Sequence, residues 1–305
     1  MTPVTPPLVV WRFSDGKVGH DNQSLGLLAA LNRLRPVQAH TLVPPPLGAA
    51  LRGSLGRLSA WQTLPPPDLL LGAGHRTHPG LLAARQGCGG RAVVLMRPSL
   101  PLALFDLCLI PEHDTPPARA NVLTTRGALN RLQPSTTLEP TRGLVLIGGP
   151  SAHFGWDEAA LYAQIAAIVA ADPAMTWTLT TSRRTPASFL ENGLLPADPR
   201  LSVVPVARTG PDWLPAQLAR AGQVWVSADS VSMVYEALTV GAAVGVLELP
   251  RARPGRVSRG LDGLAAAGWV TPFADWRRSL RLLRPPGTFN EAQRCARWII
   301  ERWFP

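Results

Sequence analysis

The chain alternates between short apolar runs and longer segments in which apolar residues recur every three or four positions. The runs predict parallel strands buried on both faces, and the segments between them predict covering helices. In the first half the predicted strands are residues 8–13, 68–72, 92–96 and 107–110. In the second half they are residues 143–147, 176–180, 201–206, 223–227 and 243–247. Two such series predict an α/β fold of two Rossmann-like, doubly wound domains that face a cleft.

The predicted helices and the linker set the expected domain limits. Helical patterns lie at residues 24–34, 157–171, 186–191, 211–221, 230–240 and 290–303. A polar stretch with prolines, residues 130–141, separates the two strand series and is typical of a linker. We expect an N-terminal domain at 1–137, a C-terminal domain at 138–288 and a last helix at 289–305, which can pack back across the junction.

Composition narrows the class of protein. Of 305 residues, 46% are hydrophobic and 16% are charged, which is typical of a globular protein. No apolar run reaches the ~18 residues of a membrane span, and no basic segment precedes the first apolar stretch as in a signal peptide. The three cysteines are scattered without C-x-x-C spacing, so we expect neither disulfides nor a metal site. These features favour a soluble, cytoplasmic protein.

The net charge of +10 does not by itself indicate nucleic acid binding. The charge is spread as +6 over residues 1–140 and +4 over residues 141–305, whereas duplex-binding domains concentrate it on one face. We therefore expect no nucleic acid partner. One local concentration has spacings that could share a helix face: Arg277, Arg278, Arg281 and Arg284. It is either a solvated face or a contact with an acidic membrane surface, at the inner face of the membrane.

Polar and titratable residues crowd into one stretch after the first predicted strand, SDGKVGHDNQ at positions 14–23. His20 is the expected general base, because an unperturbed imidazole titrates near neutral pH, and Asp15 is the second candidate. Four further residues are expected in the same loop: Lys17, Gly19, Asn22 and Gln23. Lys17 is the only lysine in the chain. In the alternative interpretation Asp21 or Asn22 caps the next helix and the rest is a solvated turn.

Three further clusters follow predicted strands of the second half. The glycine pair Gly148–Gly149, with Ser151 beyond it, could offer backbone N–H groups to an anion or simply form a tight turn. The second cluster offers hydroxyls and guanidinium groups for phosphate, or a capped helix start with Thr185 as its cap: Ser182, Arg183, Arg184 and Thr185.

The last cluster lies at the start of a predicted helix that ends near Gly241. Its members are Asp229, Ser230, Ser232 and Glu236. Ser232 and Glu236 are four apart and share a helix face, so a carboxylate for a ribose diol would lie near hydroxyls for a phosphate. The alternative is a structural Glu paired with an arginine. Together the clusters indicate an interdomain cleft for a nucleotide-diphosphate ligand.

Several motifs resemble those of the elongated-mitochondria (Elm) fission family. They are WRFSDGKVGHDNQSLGL, FDLCLIPEHD, NVLTTRGALNR, LIGGPSAHFGW, TTSRRTP and ADSVSMVYEALTVG, and they run from residue 11 to about residue 249. That family is similar in layout to the GT-B glycosyltransferases, whose C-terminal domain holds most of the nucleotide-sugar donor. The resemblance implies a donor site at the second-half clusters and an acceptor side at Lys17, Gly19, Asn22 and Gln23. It also places His20 like the base of the lipid-linked peptidoglycan glycosyltransferase.

The resemblance and the clusters lead to two hypotheses. In the first, the protein is an inverting, metal-independent glycosyltransferase that needs no cofactor. A nucleotide-diphosphate sugar of unknown base is then its co-substrate, and its acceptor is unknown and could be lipid-linked. No D-x-D pair suggests a metal site. In the second, the protein keeps the fold as a non-catalytic scaffold or membrane-associated adaptor.

Overall fold

The computed structural model describes residues 6–46, 48–49, 61–252 and 255–305. The chain divides into two compact units, of which the first comprises Met1–Arg131 with Asn290–Pro305 and the second comprises Leu132–Phe289. The first division therefore lies six residues before the expected position 137, and the last helix belongs to the first unit.

Helices and strands alternate along the chain. The helices are α1 (Val18–Leu34), α2 (His78–Cys88), α3 (Glu158–Ala171), α4 (Ser188–Glu191), α5 (Trp213–Leu218), α6 (Val231–Val240), α7 (Arg256–Ala266), α8 (Phe273–Ser279) and α9 (Glu291–Trp303). The strands of the first unit are β1 (Leu8–Phe13), β2 (Val37–Leu42), β3 (Leu69–Ala73), β4 (Arg91–Leu95), β5 (Leu107–Pro111) and β6 (Val122–Thr125). Those of the second are β7 (Glu139–Leu146), β8 (Thr176–Thr180), β9 (Leu201–Val204), β10 (Ala221–Ser227), β11 (Ala243–Leu247) and β12 (Thr271–Pro272).

Each unit contains one parallel sheet, which confirms the predicted doubly wound α/β fold. The first sheet has the order β2-β1-β3-β4-β5-β6, and the second has the order β12-β11-β10-β7-β8-β9. In each sheet the direction in which successive strands are added reverses once, although all strands are parallel. In the first the reversal lies between β1 and β3, and in the second it lies between β7 and β10. In open α/β sheets such a switch point, at the carboxyl ends of the strands, is where ligands bind.

The core of the first unit has two layers, one on each face of its sheet. Leu69 and Leu71 of β3 face a layer that includes residues of α1 and α9, whereas Leu70 faces the opposite layer. The last helix, α9, contributes four buried residues to the first of these layers: Ala292, Cys295, Ala296 and Ile299. The first unit thus completes its core with a segment from the far end of the chain.

Tryptophan side chains of the second sheet lie across glycines on neighbouring strands. Trp177 of β8 is in register with Gly143 of β7, and a Cβ atom at Gly143 would stand 2.1 Å from the indole ring. Trp225 of β10 is likewise in register with Gly245 of β11, with 2.3 Å for the same measure. In each pair the indole ring occupies the space beside the glycine that a side chain there would take, so the layer is closely packed.

Several predicted elements are corrected by the structure. Helix α1 begins at Val18 rather than residue 24, so His20 lies in a helix instead of a loop. Strands β2, β6 and β12 were not predicted. Helix α8 ends at Ser279, and Leu280 is left-handed, so Arg281 and Arg284 share no helix face with Arg277 and Arg278. Within the described ranges, no helix combines the length and apolar character needed to cross a bilayer.

Candidate functional site

The switch point of the first sheet joins Asp15 and His20. Asp15 follows β1, and His20 lies in the first turn of α1. The Nδ1 atom of His20 is 3.0 Å from each carboxylate oxygen of Asp15. Since a carboxylate only accepts, the proton lies on Nδ1, and in the neutral ring Nε2 carries the lone pair. This arrangement leaves Nε2 of His20 as a nitrogen that can accept a proton.

The surroundings of Asp15 keep its carboxylate ionised. Its side chain is fully enclosed, and burial raises the pKa of Asp15. Hydrogen bonds from the backbone N–H of Lys17 and from His20, together with the electrostatic effect of both side chains, outweigh that effect and hold the pKa of Asp15 below the usual value. The side chain of His20 is 21% exposed, so its ring is accessible to solvent, whereas the Asp15 carboxylate is not.

Gly74, just beyond β3, borders the His20 ring and was not identified from the sequence. Its φ is +85°, and a Cβ atom there would stand 2.4 Å from both Nδ1 and Cε1 of His20. Only glycine allows this approach together with that backbone conformation. The sequence signal that could have identified it is its position as the last residue of LLLGAG (residues 69–74), just after a predicted strand.

A buried arginine fixes the start of α1. Arg12, 6% exposed, donates to Asp21 Oδ1 at 2.6 Å and to Ser24 Oγ at 3.1 Å. Ser14 Oγ also donates to Asp21 Oδ1 at 2.6 Å. Asp21 is therefore no helix cap, because the residue at the N-cap position is Lys17, without a side-chain cap bond.

The residues expected on the acceptor side are only partly brought together. Lys17 and Gly19 are exposed, and a Cβ atom at Gly19 would meet nothing within 4 Å. Asn22 is half-buried. Gln23 is buried, and its Nε2 donates to the Gly19 carbonyl of the same helix at 3.5 Å.

The switch point of the second sheet is organised around Asp229, whose side chain is fully buried. Its carboxylate accepts hydrogen bonds from the N–H of Gly149 (2.9 Å), Ser227 Oγ (2.7 Å), Ser230 Oγ (3.1 Å) and Arg184 Nη2 (2.7 Å). Four donors, one of them charged, compensate the loss of water around the carboxylate. Asp229 is thus a structural centre that ties the ends of β7, β8 and β10 together.

The glycine pair after β7 serves this network. The N–H of Gly148 donates to Ser227 Oγ at 2.8 Å, and that of Gly149 donates to Asp229. A Cβ atom at Gly148 would stand 2.1 Å from Asp229 Oδ2, and one at Gly149 would stand 2.2 Å from the Arg184 carbonyl oxygen. Both N–H groups are already bonded within the protein, so the expectation that they are exposed for an anion is wrong in this structure.

The two arginines after β8 have different environments. Arg184 donates to Asp229 and to the carbonyl oxygens of Gly149 and Pro150, at 3.0 and 3.2 Å from Nη1. Arg183 is exposed and has no ion-pair partner among the described residues. Of the two guanidinium groups, only that of Arg183 is free for a ligand.

Ser182 and Thr185 hold the turn between β8 and α4. Thr185 Oγ1 accepts from the N–H of Ser182 at 2.8 Å and donates to the Gly148 carbonyl. Helix α4 begins at Ser188 after Ala187, so Thr185 is not its cap. Ser151 Oγ accepts from the N–H groups of two following residues and so shapes a turn.

Helix α6 begins beside Asp229 with unoccupied N–H groups. Ser230 is its N-cap residue, but its hydroxyl bonds to Asp229 and forms no cap bond. The N–H groups of Val231 and Ser232 donate to no acceptor in the part of the chain that is described. Ser232 is exposed, and Glu236 is half-buried one turn further on. As predicted, α6 ends at Gly241 in a left-handed conformation.

A small hollow of about 90 Å³, open to solvent, adjoins this helix start. Ala228, between Ser227 and Asp229, forms part of its wall, and Glu248 contributes a carboxylate. Its rim includes the ion pair of Arg251 with Asp262. In the regions that the structure describes, no three His, Cys, Asp or Glu side chains are grouped as metal ligands would be.

Known structures share this architecture. A proposed UDP-N-acetylglucosamine 2-epimerase from Listeria monocytogenes aligns with a TM-score of 0.61 and 13% identity, over 98% of this chain and 97% of that one. MurG from Acinetobacter baumannii aligns with a TM-score of 0.57 and 15% identity, over 97% and 100%. The UDP-GlcNAc 2-epimerase from Neisseria meningitidis, bound to UDP-GlcNAc, gives 0.52 and 11%, over 97% and 99%. These likenesses show a GT-B fold.

No curated protein sequence matches the chain. A family model described as mitochondrial fission ELM1 matches residues 18–303, which include His20, the whole of the second unit and α9. This chain therefore belongs to the mitochondrial fission ELM1 family.

Proposed function

We propose that the second unit binds a nucleoside-diphosphate sugar at its switch point. The observation that carries this proposal is the start of α6, where the N–H groups of Val231 and Ser232 are unoccupied beside the end of β10. A helix N-terminus favours negative charge, and backbone N–H groups bind phosphate oxygens. Ser232 and Arg183, both exposed, are the side chains that would extend this site.

The remaining candidate residues fall into ligand-binding and supporting roles. Glu236, one helical turn beyond Ser232, would accept hydrogen bonds from the ribose hydroxyls. Gly148, Gly149 and Asp229 would hold the strand ends at the spacing that the ligand requires. The hollow beside Ala228 adjoins this site and would receive a small part of the ligand. The Neisseria structural relative is bound to UDP-GlcNAc, which supports a UDP-sugar as the first ligand to test.

For the reaction we propose transfer of the sugar to an acceptor hydroxyl. Nε2 of His20 would take the hydroxyl proton, because Asp15 holds the proton on Nδ1. The acceptor oxygen would then attack the anomeric carbon, and the nucleoside diphosphate would leave with the electron pair of the broken bond. One displacement of this kind inverts the anomeric configuration. The α6 N-terminus and Arg183 would stabilise the charge on the leaving group.

The test is a thermal-shift screen of the full chain with UDP, GDP, ADP, TDP and CMP and their sugar conjugates. A ligand at ~100 times its Kd that binds only the folded state adds about 2.7 kcal/mol of stability. We expect one nucleotide to raise the Tm, and we expect Glu236→Gln to abolish the shift. Glu301→Gln in α9, where the side chain is exposed, is the matched control. Absence of a shift with every nucleotide would refute the donor site.

Transfer itself is tested separately. With the identified donor, His20→Ala and Asp15→Asn should retain nucleotide binding and lose turnover, while Glu236→Gln should lose both. If His20→Ala turned over like the unsubstituted protein, His20 would not be the base.

A non-catalytic scaffold is the second candidate function. The closed network around Asp229 favours it, since Arg184 and both glycine N–H groups are satisfied by the protein itself. Such a protein would keep the fold without binding a nucleotide, so the thermal-shift screen separates the two functions.

A further inference from the structure

A short exposed segment of the second unit combines apolar and positively charged side chains. It covers residues 277–284, from the last turn of α8 into the following chain, and we call it the basic ridge. Leu280 and Leu283 are 58% and 52% exposed. Leu280 has a φ of +53°, a conformation that L-residues with a Cβ rarely adopt. Strain of this kind is retained where the surroundings impose it and is common at functional positions.

The charge of the basic ridge is largely uncompensated. Its four arginines, Arg277, Arg278, Arg281 and Arg284, are all exposed. Arg278 pairs with Asp275 of the same helix. The other three form no ion pair with any residue whose placement the structure describes. The ridge therefore presents a strong positive potential next to two exposed leucines.

The ridge is fixed to the body of the second unit. Trp276, directly before it, is 5% exposed and packs against Trp225 of β10 with ring centroids 5.2 Å apart. The N–H of Leu283 donates to Thr271 Oγ1 at 3.1 Å. These two attachments hold both ends of the turn, so the outward position of the leucines is built into the fold.

We propose that the basic ridge docks on an anionic phospholipid surface. Arginine forks bind lipid phosphates, and the leucines enter the interfacial layer, where an apolar side chain is favoured. Charge alone would also suit a nucleic acid. A phosphate backbone, however, offers no apolar region for Leu280 and Leu283, and the combination therefore favours lipid. This surface follows β12, at the edge of the sheet, and none of its residues lines the hollow beside Ala228.

The test measures sedimentation of the full chain with vesicles. One set contains phosphatidylcholine alone, and the other contains about one third phosphatidylglycerol. We expect binding to the anionic set only, weakened by salt. Arg277→Ser with Arg281→Ser should reduce the affinity about tenfold or more, since each basic residue near the surface contributes to attraction. The same charge change at Arg119 and Arg131, both exposed in the first unit, is the matched control.

Leu280→Gly separates docking from folding. Glycine adopts a φ of +53° freely, so this variant should keep or raise the Tm while its affinity for anionic vesicles falls several-fold. Leu194→Gly, at a side chain 62% exposed elsewhere in the second unit, should leave vesicle binding unchanged.

Equal binding by the ridge variants and their controls would overturn the proposal. So would arginine-dependent binding that is indifferent to Leu280→Gly, because the surface would then recognise charge alone, as a nucleic acid site does. The nucleotide-induced Tm shift should persist in all ridge variants, so failure of this proposal is distinguishable from failure of the proposed function.

Discussion

Gly74 and His20 approach so closely that a Cβ atom on Gly74 would stand 2.4 Å from the imidazole ring. Gly74→Ala should therefore destabilise the protein by about 1–3 kcal/mol, from overpacking and from a positive φ. Gly16→Ala is the matched control, because Gly16 has a φ of +78° but open space around its Cβ position. It should cost only about 1 kcal/mol. Urea unfolding measures both. Equal losses would mean that the ring moves aside freely.

Asp229→Asn should strongly lower the stability of the folded protein, because the Asp229 carboxylate is buried and holds four donors. The substitution leaves the Gly149 N–H, two hydroxyls and Arg184 without their shared anion. We expect a loss of about 2–4 kcal/mol in the free energy of unfolding, measured by urea titration. Arg184→Gln should cost less, because the Arg184 side chain is 46% exposed and water replaces its contacts. The reverse order would contradict a structural role for Asp229.

His78 should make stability depend on pH between about 6.5 and about 4. It is 2% exposed, and burial, with a smaller effect of the charge on His75, lowers the pKa of His78 to about 4. In this window the unfolded chain binds the proton and the folded chain does not, so stability falls as the pH falls. The loss at pH 5 is about 2 kcal/mol relative to pH 8.

The control for this effect is a substitution that removes the titrating group. In His78→Gln the slope of unfolding free energy against pH should flatten between pH 6.5 and 4. Replacing the exposed His153 by Gln serves as the comparison for a histidine exchange as such. An unchanged slope in His78→Gln would show that the pH dependence arises elsewhere.

Glycine-to-alanine substitutions in the second unit should have opposite signs at two positions. Gly143→Ala forces a methyl group against Trp177 and should cost about 1–3 kcal/mol. Gly263→Ala lies in α7 with nothing within 4 Å of the new methyl group, and it should add about 0.5–1 kcal/mol. Melting curves of the two variants test the pair, and a loss at both positions would contradict it.

The strands that the sequence pattern predicted best are ones in which apolar or buried residues predominate. Residues 8–13, 176–180 and 243–247 are strands with these same limits in the structure. The edge strands β2 and β6 escaped prediction, since much of β2 is exposed and β6 has four residues, so neither shows a continuous apolar run. Their presence depends on pairing with β1 and β5.

The sequence predicted where along the sheets the candidate sites lie, but it did not predict which residues contact each other there. Polar residues after predicted strands identified both switch points. Helix α1 was predicted to start too late, because Lys17 is an unusual N-cap residue and Gly19 lowers helix propensity. The ring contact of Gly74 and the hydrogen bonds of the Gly148 and Gly149 N–H groups depend on residues 54 to 80 positions away, which local patterns do not reveal.

The position of α9 has a consequence for synthesis on the ribosome. The second unit is one continuous stretch, and all of its strands are available before α9 is translated. The first unit, although its strands are made earliest, lacks Ala292, Cys295, Ala296 and Ile299 until α9 has been translated. During synthesis the first unit is therefore begun first but completed last. Until α9 is available, the apolar face that it covers in the first unit stays exposed.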